Sequence, residues 1–377
     1  MNKKLIALAV AGATVAPAVM AQTANPVTLY GRAYVLFEST KASGGATAPQ
    51  ASRNRVTDQS SLFGIRGTED LGDGLKAFFQ LETVFRLDQS AAVGNTTAST
   101  FANRNSGVGV QGDFGSVLLG RWDTPWKVVT TAIDPFGDLT PGGLSGNVQD
   151  RSNFDRRENN TVQWWSPNWS GFQFRAGYAA NEGKTATVNP SGISLTGTYT
   201  QGPVYVGYAW ERHKDQYGAY NRTAAAAAAT TGADETGQAI FGNFTFGPMR
   251  VGLMSQRFKK NAGPTVLAAA QPSDLKSNML ALTYTAGKSQ FIWSYMRSKD
   301  GAAKNATVQP DCKTNVLGYF YNFSRRTSFL AQWTQINNGV AGQCDFGADR
   351  LGSTTGGAFV SADQDPRSFA VGLRHTF

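Results

Sequence analysis

Cysteine and histidine are almost missing from this chain of 377 residues, which holds two of each. A zinc-type centre needs such ligands at short, repeated spacings, so no metal and no cofactor is expected. Charge is thin as well, at 16% of residues. After the N-terminus no stretch approaches the roughly 20 apolar residues of a spanning helix, which excludes a membrane helix bundle. Neither a Gly-rich phosphate loop nor a phosphate-tracking basic stripe is present, so no nucleic acid partner is expected. In abundance are 42 Gly, which argue against long helices. The 8 Trp, 12 Tyr and 23 Phe argue against disorder. A β-rich protein remains.

The first 21 residues read as an export signal. Lys3 and Lys4 precede an apolar stretch from Leu5 to Ala13, and Val19-Met20-Ala21 forms a small-residue cleavage site before Gln22. The folded domain is then 22–377. Loss of two lysines lowers the formal charge from +9 to +7. Export into an oxidising compartment favours a disulfide between Cys312 and Cys344 over two free thiols.

From Pro26 onward residues alternate with a period of two. Leu29, Ala33, Val35 and Phe37 share one parity, and Tyr30, Arg32, Tyr34 and Glu38 share the other. Leu75, Ala77, Phe79, Leu81 and Phe85 interleave with Lys76, Gln80, Glu82 and Arg86 in the same way. Strand geometry sends the two sets to opposite faces. Seven short turns, among them Gly72-Asp73-Gly74, Gly202-Pro203 and Gly247-Pro248, alternate with eight longer polar stretches. The longer ones are expected at 39–59, 88–102, 122–156, 181–191, 214–236, 260–275, 300–313 and 338–366. Sixteen strands result, with room for about 10 residues each. Aromatics near strand ends on the apolar parity (Phe37, Phe85, Trp164, Tyr178, Trp210, Tyr284, Phe377) match interfacial girdles. A closed barrel in lipid pairs every backbone amide and puts the polar parity around water.

Five fragments in order carry a resemblance. Val27-Thr28-Leu29-Tyr30-Gly31-Arg32-Ala33 is similar to the first strand of the general Gram-negative porins, especially the trimeric porins of β-proteobacteria. The run from Phe63 to Ala77, through Gly67-Thr68-Glu69-Asp70-Leu71-Gly72-Asp73-Gly74, resembles their characteristic hairpin. Gly112 to Arg121, Ser324 to Ser328 and the terminal Gly372-Leu373-Arg374-His375-Thr376-Phe377 complete the match. The resemblance covers essentially the whole mature chain. It implies an all-β fold, a 16-stranded antiparallel transmembrane β-barrel whose third loop folds inward, assembled as a homotrimer in the outer membrane. The terminal Phe377 resembles the signal read by the barrel-assembly machinery.

A pore requires a sized, charged constriction rather than a reaction centre. Alternation puts Arg32, Arg66, Lys76, Glu82, Arg86 and Arg175 on the lumen face. The resemblance adds Arg104, and Arg156 or Arg157 just after the third loop. The parity of Arg104 is ambiguous, since Ser106, Val108 and Val110 share it. Leu62 and Gln163 stand where relatives commonly carry basic residues, which thins the basic wall. Within 122–156, Asp123-Thr124-Pro125 is suited to cap a short helix through Ile133. Asp134 and Asp138 then supply an acidic side, although Pro135 stands where many relatives place Glu. A weakly to moderately anion-preferring channel for ions and small hydrophilic solutes follows, surrounded by outer-membrane lipid and lipopolysaccharide.

Two other readings stand beside it. A barrel hydrolase would need a general base, and His213 near Glu211 and Asp215 is the sole candidate, because His375 takes the lipid-facing parity. A non-conducting structural or adhesin barrel usually has fewer strands or a plug. Cys312 and Cys344 are both expected on the extracellular side, where a bond would tie two loops. The Ala224 to Ala229 run is expected to be a surface insert.

Overall fold

The computed structural model describes residues 27–45, 50–88, 101–137, 140–144, 154–180, 182–216, 232–261, 273–300, 311–340, 342, 344–346, 351, 360–361 and 363–377. The expected signal segment, Asp138 and the Ala224 to Ala229 run lie outside them.

The strands in chain order are β1 (Thr28–Gly44), β2 (Gln50–Asp58), β3 (Leu62–Gly72), β4 (Leu75–Val84), β5 (Ser106–Gly112) and β6 (Gly115–Asp123). After the helix α1 (Pro125–Thr131) come β7 (Arg157–Trp165), β8 (Phe172–Ala180), β9 (Ser191–Gln201), β10 (Val204–Lys214) and β11 (Asp234–Phe246). The chain finishes with β12 (Met249–Asn261), β13 (Ser273–Ala286), β14 (Ser289–Asp300), β15 (Cys312–Asn322), β16 (Thr327–Asn338) and β17 (Gln364–Thr376). Apart from β2 and β3, strands adjacent in sequence pair antiparallel, and β1 pairs with β17 from Arg32↔Thr376 to Gly44↔Gln364, closing the sheet. Backbone bonds in both directions between Gly31 and Phe377, each 3.1 Å, extend that seam.

Seventeen segments make sixteen strand positions, because β2 and β3 are two lengths of one strand. Both pair with β1, through Val35↔Asp58 and Arg32↔Leu62. Three steps on β1 face four on its partner, so one residue is extra and the ladder bulges. Ser60 takes φ +63° there. The Tyr34 N–H donates to Ser61 Oγ at 3.0 Å, and the Gln59 N–H to the Tyr34 carbonyl at 2.8 Å. The bulge leaves the Ser60 carbonyl and hydroxyl available to side chains.

All seven short turns fall where the sequence puts them. The two-residue hairpins at Gly202-Pro203 and Gly247-Pro248 hold glycine at φ +54° and +52°. Glycine first and proline second suits a primed turn, whose twist matches the flanking strands. One long stretch is corrected. Most of 39–59 is strand: β1 runs to Gly44 and pairs Glu38 with Arg55, Ser39 with Asn54 and Thr40 with Arg53. Polar side chains do not prevent pairing where the partner strand is equally long.

The alternation sorts the barrel into two faces. Leu29, Phe37, Ile240, Leu253, Phe291, Leu317 and Phe369 are all exposed on one face, Ile240 by 66%. The opposite parity, with Tyr34, Leu36, Glu38, Ala209 and Glu211, is buried. A closed sheet therefore carries its greasy surface outside. Ring contacts cluster on that surface beside the short turns: Phe172 with Tyr199 at 4.5 Å, Tyr321 with Phe323 at 5.1 Å and Phe291 with Tyr319 at 5.2 Å. They form an aromatic belt at the turn end, as an interface requires.

Candidate functional site

The site begins where the chain leaves β6. Register with β7 shifts between Gly120 and Trp122, and Gly120 has φ +150° with no room for a Cβ against the Ser106 carbonyl. The Thr124 hydroxyl then caps α1, accepting from the Lys127 N–H at 3.2 Å, with Pro125 at the first turn. That cap matches the sequence signal, although the helix stops at Thr131.

Trp126 anchors the segment. It is fully buried, with ring centroids 5.7 Å from both Phe154 and Phe258. Its backbone N–H donates to Ser194 Oγ on β9 at 3.0 Å. Arg250 on β12 donates to the Ala132 carbonyl at 3.0 Å, Lys127 pairs with Asp155 at 2.9 Å, and Gln163 donates to the Asp123 carbonyl at 2.9 Å. Gln163 is thus a buried tether for the segment. Further on, the Asp134 carboxylate accepts from the N–H groups of Phe136 (2.9 Å) and Leu144 (2.6 Å). Phe136 lies against Gly318 on β15, and Gln332 on β16 donates to the Thr140 hydroxyl at 3.3 Å. The segment 124–144 thus touches the inner-face parity of β9 and β12 at one end and of β15 and β16 at the other.

A basic cluster surrounds Tyr30 and Tyr34 of β1. Arg66 lies 5.0 Å over the Tyr30 ring, and the Tyr30 hydroxyl donates to Glu82 at 3.1 Å. Arg104 donates to the other oxygen of Glu82 at 2.6 Å and to Ser60 Oγ at 2.8 Å. Arg32 donates to the Ser60 carbonyl at 2.9 Å, so the bulge joins two guanidinium groups. Arg32, Arg374 and Asp134 all act electrostatically on the Tyr34 hydroxyl, and Arg374 also lies 5.7 Å over the Phe320 ring.

The ambiguity at Arg104 resolves through a second register shift. Gln80 pairs with Gly107, yet the Arg104 N–H donates to the Glu82 carbonyl at 2.9 Å. Two steps on β4 thus oppose three on the other chain, and the extra residue turns Arg104 to the inner face. Simple alternation from Ser106 misses this.

The other candidates scatter. Arg157 pairs with Asp123 at 2.9 Å and donates to Asn105 at 2.7 Å, while the Arg156 carbonyl accepts from Thr124 at 3.1 Å. Arg175 on β8 stacks 4.8 Å over Trp165 and donates to Gln173. Lys76 pairs across from Asp70 beside the turn end, well away from the segment. Arg86 lies beyond the end of β4 and approaches Asp88 at 3.8 Å. Leu62 pairs with Arg32 across β1 and β3. Arg374, Tyr34 and Ser60 are additions. The alternation of Phe369, Val371 and Leu373 with Ala370 and Arg374 is the sequence signal that places Arg374 on the polar parity.

His213 has a packing role. Its ring stacks on Phe154 at 4.6 Å, with Glu211 at 2.9 Å and Glu235 at 3.5 Å. Asp215, the carboxylate that the sequence set beside it, instead accepts from the N–H groups of Asn189 and Gly232. At the loop end Cys312 and Cys344 form a disulfide with Cα atoms 6.3 Å apart. It sits in a small core with Ala42, Ile336, Phe346, Leu351 and Val360.

The family model described as Gram-negative porin matches residues 7–341. The chain is a Gram-negative porin. Its sequence is 31% identical over 391 aligned positions to outer membrane porin protein 32 of Delftia acidovorans, across 100% of both chains. Among solved structures, the anion-selective porin from Comamonas acidovorans superposes with a TM-score of 0.73 at 24% identity, covering 94% of this porin and 100% of that chain. A trimer form of the Vibrio cholerae outer membrane protein OmpT gives 0.62 at 17% identity, covering 94% and 99%. The porin is an outer-membrane protein that forms a channel for passive diffusion. Family and fold are those of a channel rather than of an enzyme.

Proposed function

We infer that this porin conducts small hydrophilic solutes and ions through a lumen narrowed by the inward-folded segment 124–144, with a modest preference for anions. The observation that carries the reading is the gathering of Arg32, Arg66, Arg104 and Arg374 around Tyr30 and Tyr34, with Asp134 facing them. Guanidinium groups on one wall and a carboxylate opposite set a transverse field across the opening. Charges farther than about 8 Å from the path are screened at physiological salt, so Lys76 and Arg86 contribute little. The anion-selective relative from Comamonas acidovorans supports the sign.

Three subunits assemble together, a reading supported by the trimer form of OmpT. Outer-membrane lipid, including lipopolysaccharide, covers the apolar face, and Phe377 at the closing seam serves the assembly machinery. His213 works as packing under the segment, which argues against a hydrolase. The test is a reversal potential across a planar bilayer in a KCl gradient. An anion-preferring value is expected, and a clear cation preference overturns the reading.

A further inference from the structure

Arg175 and Arg250 stand on strands that carry none of the Tyr30 and Tyr34 cluster, yet they share a place. Arg175 follows the turn Asn168-Trp169-Ser170-Gly171 near the start of β8, and Arg250 follows Gly247-Pro248 near the start of β12. Between them Tyr205 follows Gly202-Pro203 near the start of β10. Two residues beyond Arg175, Gly177 lies against Pro125, and two beyond Arg250, Gly252 lies near Ile133. A strand returns to the same face every second residue, so both arginines project from the inner wall on the turn side of α1. Arg250 donates to the Ala132 carbonyl at 3.0 Å, and the Tyr205 hydroxyl donates to the Val129 carbonyl at 3.4 Å. Both groups are thereby held at the end of the helix. The Tyr205 hydroxyl is within electrostatic reach of both guanidinium groups.

This part of the wall contains no acid. In β8–β14 the carboxylates are Glu211, Asp234, Glu235, Asp274 and Asp300, each in the loop-side half of its strand. The short turns at 168–171, 202–203, 247–248 and 286–288 hold none. Neither Arg175 nor Arg250 has a carboxylate partner among the described residues. A guanidinium carries five N–H donors. Arg175 donates to Gln173 while its plane rests on Trp165, and its buried Nε has no partner. Arg250 donates to Ala132 alone. Neutral groups thus orient both charges and leave them uncompensated, whereas Glu82 neutralises Arg104.

We propose that Arg175, Tyr205 and Arg250 form a second anion site, on the turn side of the segment, that takes the phosphate group of a passing solute. This rests on the reading of the lumen as an anion-preferring path and names the anion class that the path favours. Phosphate carries close to two negative charges at neutral pH and several acceptor oxygens, so one group answers both guanidinium forks. A monovalent carboxylate answers one. Chloride, a point charge, makes no use of the fork geometry.

The experiment uses the full mature chain in a planar bilayer, with single-channel current recorded in KCl near neutral pH. The probes are inorganic phosphate, glycerol phosphate and acetate, each added at millimolar concentration. Both phosphates are expected to interrupt the current where acetate does not. Block by both assigns the site to the phosphate group of organic solutes as well, and block by inorganic phosphate alone assigns it to the free ion. The double variant Arg175→Gln, Arg250→Gln is expected to need roughly tenfold more phosphate for the same block. Arg175→Lys with Arg250→Lys keeps the charges, loses the forks and falls between the two. Arg250 also touches the segment, so Arg175→Gln is measured alone: the Ala132 contact stays and the block still weakens. Lys76→Gln removes a charge away from the segment and keeps the full block. Undiminished block in the double variant, or equal weakening in Lys76→Gln, overturns the proposal. So does acetate acting as strongly as phosphate on a channel that still prefers anions. A cation-preferring reversal potential would instead defeat the reading beneath it.

Discussion

The two faces of one sheet treat positive charge in opposite ways. On the inner face each arginine of the cluster is held: Arg104 by Glu82, Arg32 by the Ser60 carbonyl, Arg66 by the Tyr30 ring and Arg374 by the Phe320 ring. On the outer rim Lys276 stands opposite both Arg257 and Lys299, and Arg297 opposite Lys313. Fixed partners orient a charge, and an oriented charge creates a directed field inside a narrow passage with low-dielectric walls. Like charges on facing strands repel one another and set no such field inside the lumen. Location in the barrel, rather than residue type, decides which task an arginine performs.

The largest expected effect lies on the inner side. Replacing Arg32, Arg104 and Arg374 together by Glu is expected to reverse the sign of the reversal potential, a change in the permeability ratio on the order of tenfold or more. Lys276→Glu with Lys299→Glu is expected to leave that potential nearly unchanged. If the outer pair moves selectivity as much as the inner triple, the division between the faces fails.

Next comes Trp126→Ala. A fully buried Trp removed from its Phe154 and Phe258 contacts costs about 3–5 kcal/mol. Loosening of the segment should appear as a lower unfolding temperature in detergent and as larger, noisier single-channel conductance. A quiet channel of unchanged conductance would mean that the segment does not define the passage.

A smaller change is expected from Cys344→Ser. The bond closes a loop with a sequence separation of 32 in the unfolded chain. In the chain-entropy account that is worth roughly 3–4 kcal/mol. Protease should cut the loop after β16 sooner, while conductance stays the same.

The smallest is Lys299→Gln. In detergent, removal of its like-charge pairing with Lys276 is expected to stabilise the barrel by about 0.2–1 kcal/mol. A measured destabilisation would show that the lysine has a protein partner after all.

Much of this was legible beforehand, because two of the governing rules are local. A period of two and turn chemistry need only neighbouring residues, which is why the strand count and the seven short turns agree with the structure. The same alternation put Arg32, Arg66 and Glu82 on the polar parity. Alternation was not enough wherever a remote partner decided the outcome. The polar run 39–59 became strand because β1 and β2 extend together. Arg104 turned inward through a one-residue slip against β4. The core of Trp126, Phe154 and Phe258 joins three distant parts of the chain, so no window of sequence displays it. His213, which looked chemical beside Glu211, belongs to that core through its stack on Phe154.

The segment that leaves β6 is gripped by Ser194 on β9 and Arg250 on β12, and farther along by Gly318 on β15 and Gln332 on β16. The outermost of these, β9 and β16, stand seven places apart around a ring of sixteen strands. On the reading proposed above, the segment is a tie rod across the cylinder. Squeezing by the surrounding membrane would have to stretch or break that rod before the cross-section became oval. The sieve thereby keeps one mesh size while the wall around it is loaded and unloaded.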